Sequence, residues 1–400
     1  MPSRRLSPPM GWNSWDCFGT TVTEPEVLAN ARVMSSQLLA FGWDTVVVDI
    51  AWYDPTARAH GYNSDAPVVL DGYGRQLPAP NRFPSGFAAL AAEVHALGLK
   101  FGLHIMRGIP RRAVELDLPI FGTSWTAAEV ADRDNVCAWN PDNFGLNHDH
   151  PGAQAYYDSQ VAQFAAWGVD FIKADDMLAP YHHREIESYA EAIRRSGRDI
   201  TLSLSPGTWL STDHVDHLRE NAAMWRISDD LWDRWEDIHA QFARLARWAP
   251  FQQPGGWADA DMLPLGHIGI RAERGDDRAS RLTLDEQKTL LTLWSMARSP
   301  LMMGGDLPTT SPETVALLKN PALAELLTTS YNNREITREP IADGELIVWR
   351  ARGEHCSYEA TFWTGPTPHA FPTNGPDLWG ATDAHIPAHG VRWFKLPPTP

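Results

Sequence analysis

The sequence predicts an α/β fold, a (β/α)8 barrel followed by a small C-terminal antiparallel β-sandwich. Three observations lead there. Short apolar runs alternate with amphipathic stretches over about the first 300 residues, the signature of a mostly parallel sheet with crossover helices. Acidic residues recur where those apolar runs end. From about Asp306 the texture changes: an ETVALLKNPALAELL helix leads into the shorter β-like runs ELIVWRA, SYEATFWTG and VRWFKL. The predicted division is residues 1–330 for the barrel and 331–400 for the β domain.

In chain order, strands are expected near Met10 to Asn13, then at Thr45 to Ile50, Lys100 to Met106, and Phe171 to Asp175. They continue at Thr201 to Ser205, Met224 to Ser228, a short one near Phe251, and a last one near Leu301 to Met303. Helical stretches fall between them at Glu26 to Leu39, Gly86 to His95, Ala153 to Ala166, His183 to Arg194, and Asp285 to Ala297. Eight strands with intervening helices are what a closed barrel requires. Two connections, Tyr53 to about Phe83 and Arg107 to about Asp149, are too long for simple turns. Loops of that size in a compact domain are usually functional, and on a barrel they would roof the C-terminal face.

Composition narrows the function classes. A formal net charge of -16 argues against a nucleic-acid surface, which needs a basic patch, and against anionic lipid. It fits a neutral small-molecule substrate. Eighteen tryptophans in 400 residues exceed ordinary core needs, and a good share are expected in a cleft that stacks on sugar rings. The same apolar, Trp-rich pieces would also suit a subunit interface, so oligomerisation stays open. Cys17, Cys137 and Cys356 form neither a zinc pattern nor a disulfide framework. No apolar leader follows Arg4 and Arg5, and no run is long enough to span a membrane. A reduced, cytoplasmic setting is the expectation.

The acids carry the most information. Asp49, Asp175 and Asp176, Asp229 and Asp230, and Asp259 and Asp261 each fall at or just past the end of an expected strand. In a barrel those ends converge on one face, and converging carboxylates persist where chemistry, a metal or a cation compensates their repulsion. A helix N-cap is the simpler account of any single Asp, and carries about half the weight for Asp176 and Asp233. It is weaker for Asp175, which ends the run GVDFIKAD. Strand alternation turns Lys173 and Asp175 to the same side. Lysine is scarce here, with five in the chain, and an ammonium at that spot would keep Asp175 ionised, as a nucleophile needs. His148, His150, His182 and His183 lie in loops without a ligand spacing, so no metal or cofactor is expected. The pieces PGGW and MMGG lack phosphate-loop form.

Taken together, MGWNSW at 10–15, the acid after the second strand, Lys-x-Asp ending the fourth, WRxxxD at 225–230, PGGWADADML at 254–263 and ARSPLMMGGDL at 297–307 resemble glycoside hydrolase family 27, the α-galactosidase/melibiase family. The resemblance spans nearly the whole chain, including the closing IPAHGVRWFKL. It implies retaining, exo-acting hydrolysis of a small neutral saccharide or glycoside by double displacement. Asp175 matches the nucleophile and Asp230 the general acid/base. Lys173 matches the lysine that holds sugar hydroxyls, Arg226 the arginine near the C2 hydroxyl, and Trp15 the indole floor. Asp49 matches the first acid of an Asp-Asp pair that binds the C4 and C6 region. Trp52 and Asp259 complete the expected substrate-binding set.

Departures from the family pattern matter as much. The second acid of the pair is Ile50, the tyrosine on the third strand is His104, and the cysteine two residues past the nucleophile is Met177, which removes a family disulfide. The specificity loop reads Ser205-Pro206-Gly207 in place of Cys-Glu-Trp. Ile50 would leave a buried hydroxymethyl unpartnered, at a cost of about 1 to 3 kcal/mol. β-L-Arabinopyranose shares the ring and axial hydroxyl of α-D-galactose and lacks that hydroxymethyl. The family also contains β-L-arabinopyranosidases. The expectation is therefore cleavage of terminal β-L-arabinopyranosyl residues, with weaker α-D-galactosidase activity. The alternatives are an α-D-galactosidase proper, an isomalto-dextranase-like α-glucan hydrolase, and a non-catalytic carbohydrate-binding protein, the last opposed by the presence of both key acids.

Overall fold

The computed structural model describes residues 6–372 and 375–398. Arg4 and Arg5, on which the reading of the N-terminus rests, lie outside them. Eight parallel strands form one curled sheet in sequential order: β1 (Met10–Asn13), β2 (Thr45–Val48), β3 (Lys100–Met106), β4 (Phe171–Asp175), β5 (Thr201–Leu204), β6 (Met224–Arg226), β7 (Trp257–Asp259) and β8 (Leu301–Met303). First and last strands pair, with Met10 opposite Leu301. The remaining seam is bridged where Leu263, just past β7, pairs with Met303. This is the topology of a (β/α)8 barrel.

The intervening helices are α1 (Glu24–Gln37), α2 (Gly86–Ala96), α3 (Pro151–Trp167), α4 (His183–Ser196), α5 (Val215–Asn221), α6 (Trp235–Trp248) and α7 (Leu284–Ala297). Local chemistry sets their ends. Thr23 and Glu26 form a capping box that starts α1 at Glu24, ahead of the expected Glu26. Thr283 and Glu286 do the same for α7. Helix α3 stops at Gly168, whose left-handed backbone (φ 85°) suits glycine. The sheet curls tightly enough that a β-carbon on Gly11 would sit 2.2 Å from the Thr45 carbonyl oxygen.

One expectation needs correction. Phe251 is not in a strand: Ala249–Phe251 is a single 3-10 turn closing α6, where Pro250 supplies no N–H for a ladder. The seventh strand is Trp257–Asp259, after the Pro254-Gly255 turn, and it pairs Asp259 with Arg226. The C-terminal region is antiparallel as expected: its described residues form one four-stranded sheet and a two-stranded ribbon. The sheet comprises β9 (Tyr331–Ile341), β10 (Gly344–Arg352), β11 (Ser357–Trp363) and β14 (Val391–Leu396). The ribbon is β12 (His369–Ala370) with β13 (His385–Ile386). Barrel helices meet this region: Phe242 of α6 meets Phe362 at 5.1 Å, and Thr289 of α7 donates to the His389 carbonyl.

The tryptophans are mostly structural. Trp12, Trp43, Trp52, Trp225, Trp248, Trp257, Trp294, Trp349 and Trp393 are essentially inaccessible. Several anchor distant segments through their indole N–H, as Trp12 does to Gly305 and Trp43 to Leu318. Indole here ties the barrel together more than it lines a cleft. Among the described residues, no helix is long and apolar enough to cross a membrane.

Candidate active site

At the C-terminal ends of the strands opens a cavity of about 420 Å³. Its walls include Trp15, Asp49, Ile50, His104, Lys173, Asp175, Arg226 and Asp230, all expected from the sequence. The strand ladder explains the convergence. In register, His104 of β3 stands opposite Lys173 of β4, and Met106 opposite Asp175. Alternation then turns His104, Lys173 and Asp175 inward together.

Asp175 is gripped on both oxygens. His104 Nε2 donates to Oδ2 at 2.9 Å, and the Asp176 amide donates to Oδ1 at 2.8 Å. His104 Nδ1 is buried without a hydrogen-bond partner, which favours the tautomer carrying its proton on Nε2. Burial alone would raise the Asp175 carboxyl; the His104 hydrogen bond, aided by the Lys173 ammonium, more than reverses this and holds it well below the usual carboxylate range. Asp176 has a left-handed backbone (φ 59°) and its carboxylate pairs with Arg107 at 2.8 Å. It therefore caps no helix; it fixes the turn that aims its own amide at Asp175.

Lys173 bonds elsewhere than at Asp175. Its Nζ contacts Asp49 Oδ2 at 2.9 Å, where Asn13 Nδ2 also donates at 2.8 Å, while the Ile50 amide donates to Oδ1. Asp49 stays ionised because these partners outweigh the upward push of burial. The influence of Lys173 on Asp175 is through charge alone.

Asp230 lies on the outer side, more exposed, with Arg226 Nη2 at 3.2 Å. Arg226 bridges two acids, its Nη1 meeting Asp261 at 2.9 Å. The Asp261 carboxylate also accepts from the Leu231 amide, next to Asp230. Burial pushes the Asp261 carboxyl up to about 7, and Asp230 and Asp259 push the same way against Arg226.

Three expected residues stand elsewhere. Trp52 is in the core among Tyr53, Phe87, Phe164 and Trp167, its Nε1 donating to the His104 carbonyl. Ser205 continues β5, donating to Ala174 and accepting from Met177; its neighbour Pro206 faces the cavity instead. Asp259 sits beneath the floor, accepting from the Asp261 amide. Conversely, Tyr62 and Trp139 line the cavity although sequence reading did not single them out. They come from the two long loops, whose length was the available signal. Tyr62 stacks on Trp15 with centroids 5.9 Å apart, and Trp139 leans on Tyr62 at 5.6 Å. Asp233 also departs from an N-cap role: it is buried against Arg278 at 2.6 Å.

A family model described as Alpha galactosidase A (Melibiase_2) matches residues 144–326. A structure of a GH27 β-L-arabinopyranosidase from Geobacillus stearothermophilus in complex with arabinose is 44% identical, with TM-score 0.91 over 99% of this chain and 98% of that chain. The wild-type form of that protein gives 43% identity and TM-score 0.92, covering 98% and 97% of the two chains. An alpha-galactosidase from Cyamopsis tetragonoloba is 25% identical over 419 residues, covering 98% of this chain and 86% of the relative. With near-complete coverage at this identity, the chain belongs to glycoside hydrolase family 27, the α-galactosidase/melibiase family.

Proposed function

We propose that this glycosidase removes terminal β-L-arabinopyranosyl residues, and α-D-galactosyl residues more weakly, by retaining double displacement. The observation that carries the sugar preference is Ile50, which lines the cavity directly beside Asp49. An aliphatic wall there suits a pentopyranose ring edge and offers no hydrogen-bond partner to a hydroxymethyl group. Two GH27 β-L-arabinopyranosidase structures at 43–44% identity support the same reading.

In this mechanism an Asp175 oxygen attacks the anomeric carbon while Asp230 protonates the departing glycosidic oxygen. Water then attacks the same carbon, Asp230 accepts its proton, and the bond to Asp175 breaks. Asp175 is suited to the nucleophile role because its proton is held off far below neutral pH. Asp230, nearer the solvent, is suited to exchange a proton in each half-reaction. Asp49, held by Lys173, remains available as an acceptor for sugar hydroxyls.

The test is parallel measurement of kcat/KM on p-nitrophenyl β-L-arabinopyranoside and p-nitrophenyl α-D-galactopyranoside, with Asp175→Ala as the blank. Preference for the arabinoside is expected. A reversed preference would make the protein an α-galactosidase with Ile50 as packing, and cleavage of neither would point to a glucan substrate.

A further inference from the structure

The cavity divides by depth. Asp49, Arg226, Lys173 and Asp175 form an inner group whose side chains are 2%, 4%, 13% and 15% exposed. Asp230 at 38%, Trp139 at 38%, Arg234 at 57% and Arg274 at 62% form an outer one. All line the same space. The carboxyl that protonates a glycosidic oxygen stands at the junction between the two sugars it separates. Groups inward of Asp230 therefore face the sugar that is attacked, and groups outward of it face the group that leaves.

We propose that this outer half is a leaving-group site for a saccharide, built on Trp139; the proposal rests on Asp230 acting as the acid. A line of rings, Trp15 to Tyr62 to Trp139, runs from the inner pocket to the rim. Trp139 is an amphipathic platform of the kind that serves where one side of a contact is apolar and the other wet. The same cavity is lined by donors and an acceptor already oriented by neighbours. Arg234 is tied to Asp237 at 2.8 Å, and Arg274 lies against Glu273 at 3.5 Å. Mixed charge with both donors and an acceptor suits a neutral, hydroxylated ring better than an ionic or purely aliphatic group. The leaving group assigned here is thus a sugar, stacked through its apolar face on Trp139 with hydroxyls toward Arg234, Glu273 and Arg274.

The experiment compares wild type, Trp139→Ala and Trp139→Phe on two substrates sharing one terminal sugar. One is the glycosyl fluoride, which has no ring beyond the scissile bond; the other is a disaccharide. The terminal sugar is whichever of β-L-arabinopyranose or α-D-galactose the wild type accepts. Trp139→Ala is expected to lower kcat/KM on the disaccharide by about 10-fold, the scale of one lost aromatic contact, and on the fluoride by less than about twofold. Trp139→Phe should recover much of the loss. Equal losses on both substrates would assign Trp139 to the inner pocket, and no loss on the disaccharide would remove it from substrate contact; either result overturns the proposal. A wild type inert toward both fluorides would instead remove the glycosidase reading, and this site with it.

Discussion

His104→Phe tests what keeps Asp175, the proposed nucleophile, ionised. His104 is 1% exposed and its Nε2 lies 2.9 Å from Asp175 Oδ2. Burial raises the Asp175 carboxyl, and the His104 hydrogen bond leads the groups that bring it down. A hydrogen bond to a charged group is worth about 1.5 to 3 kcal/mol, and about 1.36 kcal/mol corresponds to one pH unit. Lys173 and the Asp176 amide remain in the variant, so the acid limb of kcat/KM should rise by about one to two pH units. The sign follows from the chemistry: attack needs the carboxylate, and a higher folded pKa makes protonation occur sooner as pH falls. Phenylalanine keeps most of the ring volume, and circular dichroism would verify the fold. The assay is a full pH profile on the preferred aryl glycoside, with His104→Gln restoring an N–H donor and reversing part of the shift. An acid limb that stays in place in well-folded His104→Phe would refute the reasoning and return the role to Lys173 and the backbone amide.

Ile50→Asp should raise the galactoside-to-arabinoside ratio of kcat/KM by roughly 5- to 150-fold, the worth of satisfying one buried hydroxyl; an unchanged ratio would mean that the wall lies elsewhere. Asp233→Ala should destabilise the fold by about 3 kcal/mol, because it strands Arg278 beside a buried gap. Burial pushes the Asp233 carboxyl up, but the Arg278 hydrogen bond, the Arg281 amide and the charges of both arginines together outweigh that and leave it lowered. Its contribution is then complete above the unfolded carboxylate value near about 4 and is lost as pH falls through the lowered folded value. Urea midpoints of variant and wild type should converge on acidification, and a gap constant with pH would show that the ion pair is not its source.

Much of the geometry of the candidate site can be read locally. A strand's apolar run and the acid that ends it are adjacent in sequence, so Asp49, Asp175 and Asp230 are recognisable at strand ends without knowing any neighbour. Period-two alternation likewise assigns Lys173 and Asp175 to one side, and both line the cavity. Helix starts are encoded by short cap motifs such as Thr23 with Glu26. The seventh strand escapes this logic because Trp257–Asp259 is only three residues long, too short for a periodic signal.

Partner choice was decided by tertiary structure alone. Lys173 is two residues from Asp175 yet bonds Asp49, 124 positions away, because the register that sets β3 beside β4 hands Asp175 to His104. Trp52 is three residues beyond a catalytic-face acid yet turns into the core, and Ser205 gives its place at the cavity to Pro206. Tyr62 and Trp139 reach the cavity from loops that carry no repeating pattern at all. Sequence by itself determined that a parallel barrel would gather carboxylates on one face, since alternation and strand ends are properties of the local chain. Which cation meets which acid, and which ring meets solvent, depend on shear between strands and on the path of long loops; those are settled by packing between segments far apart in sequence.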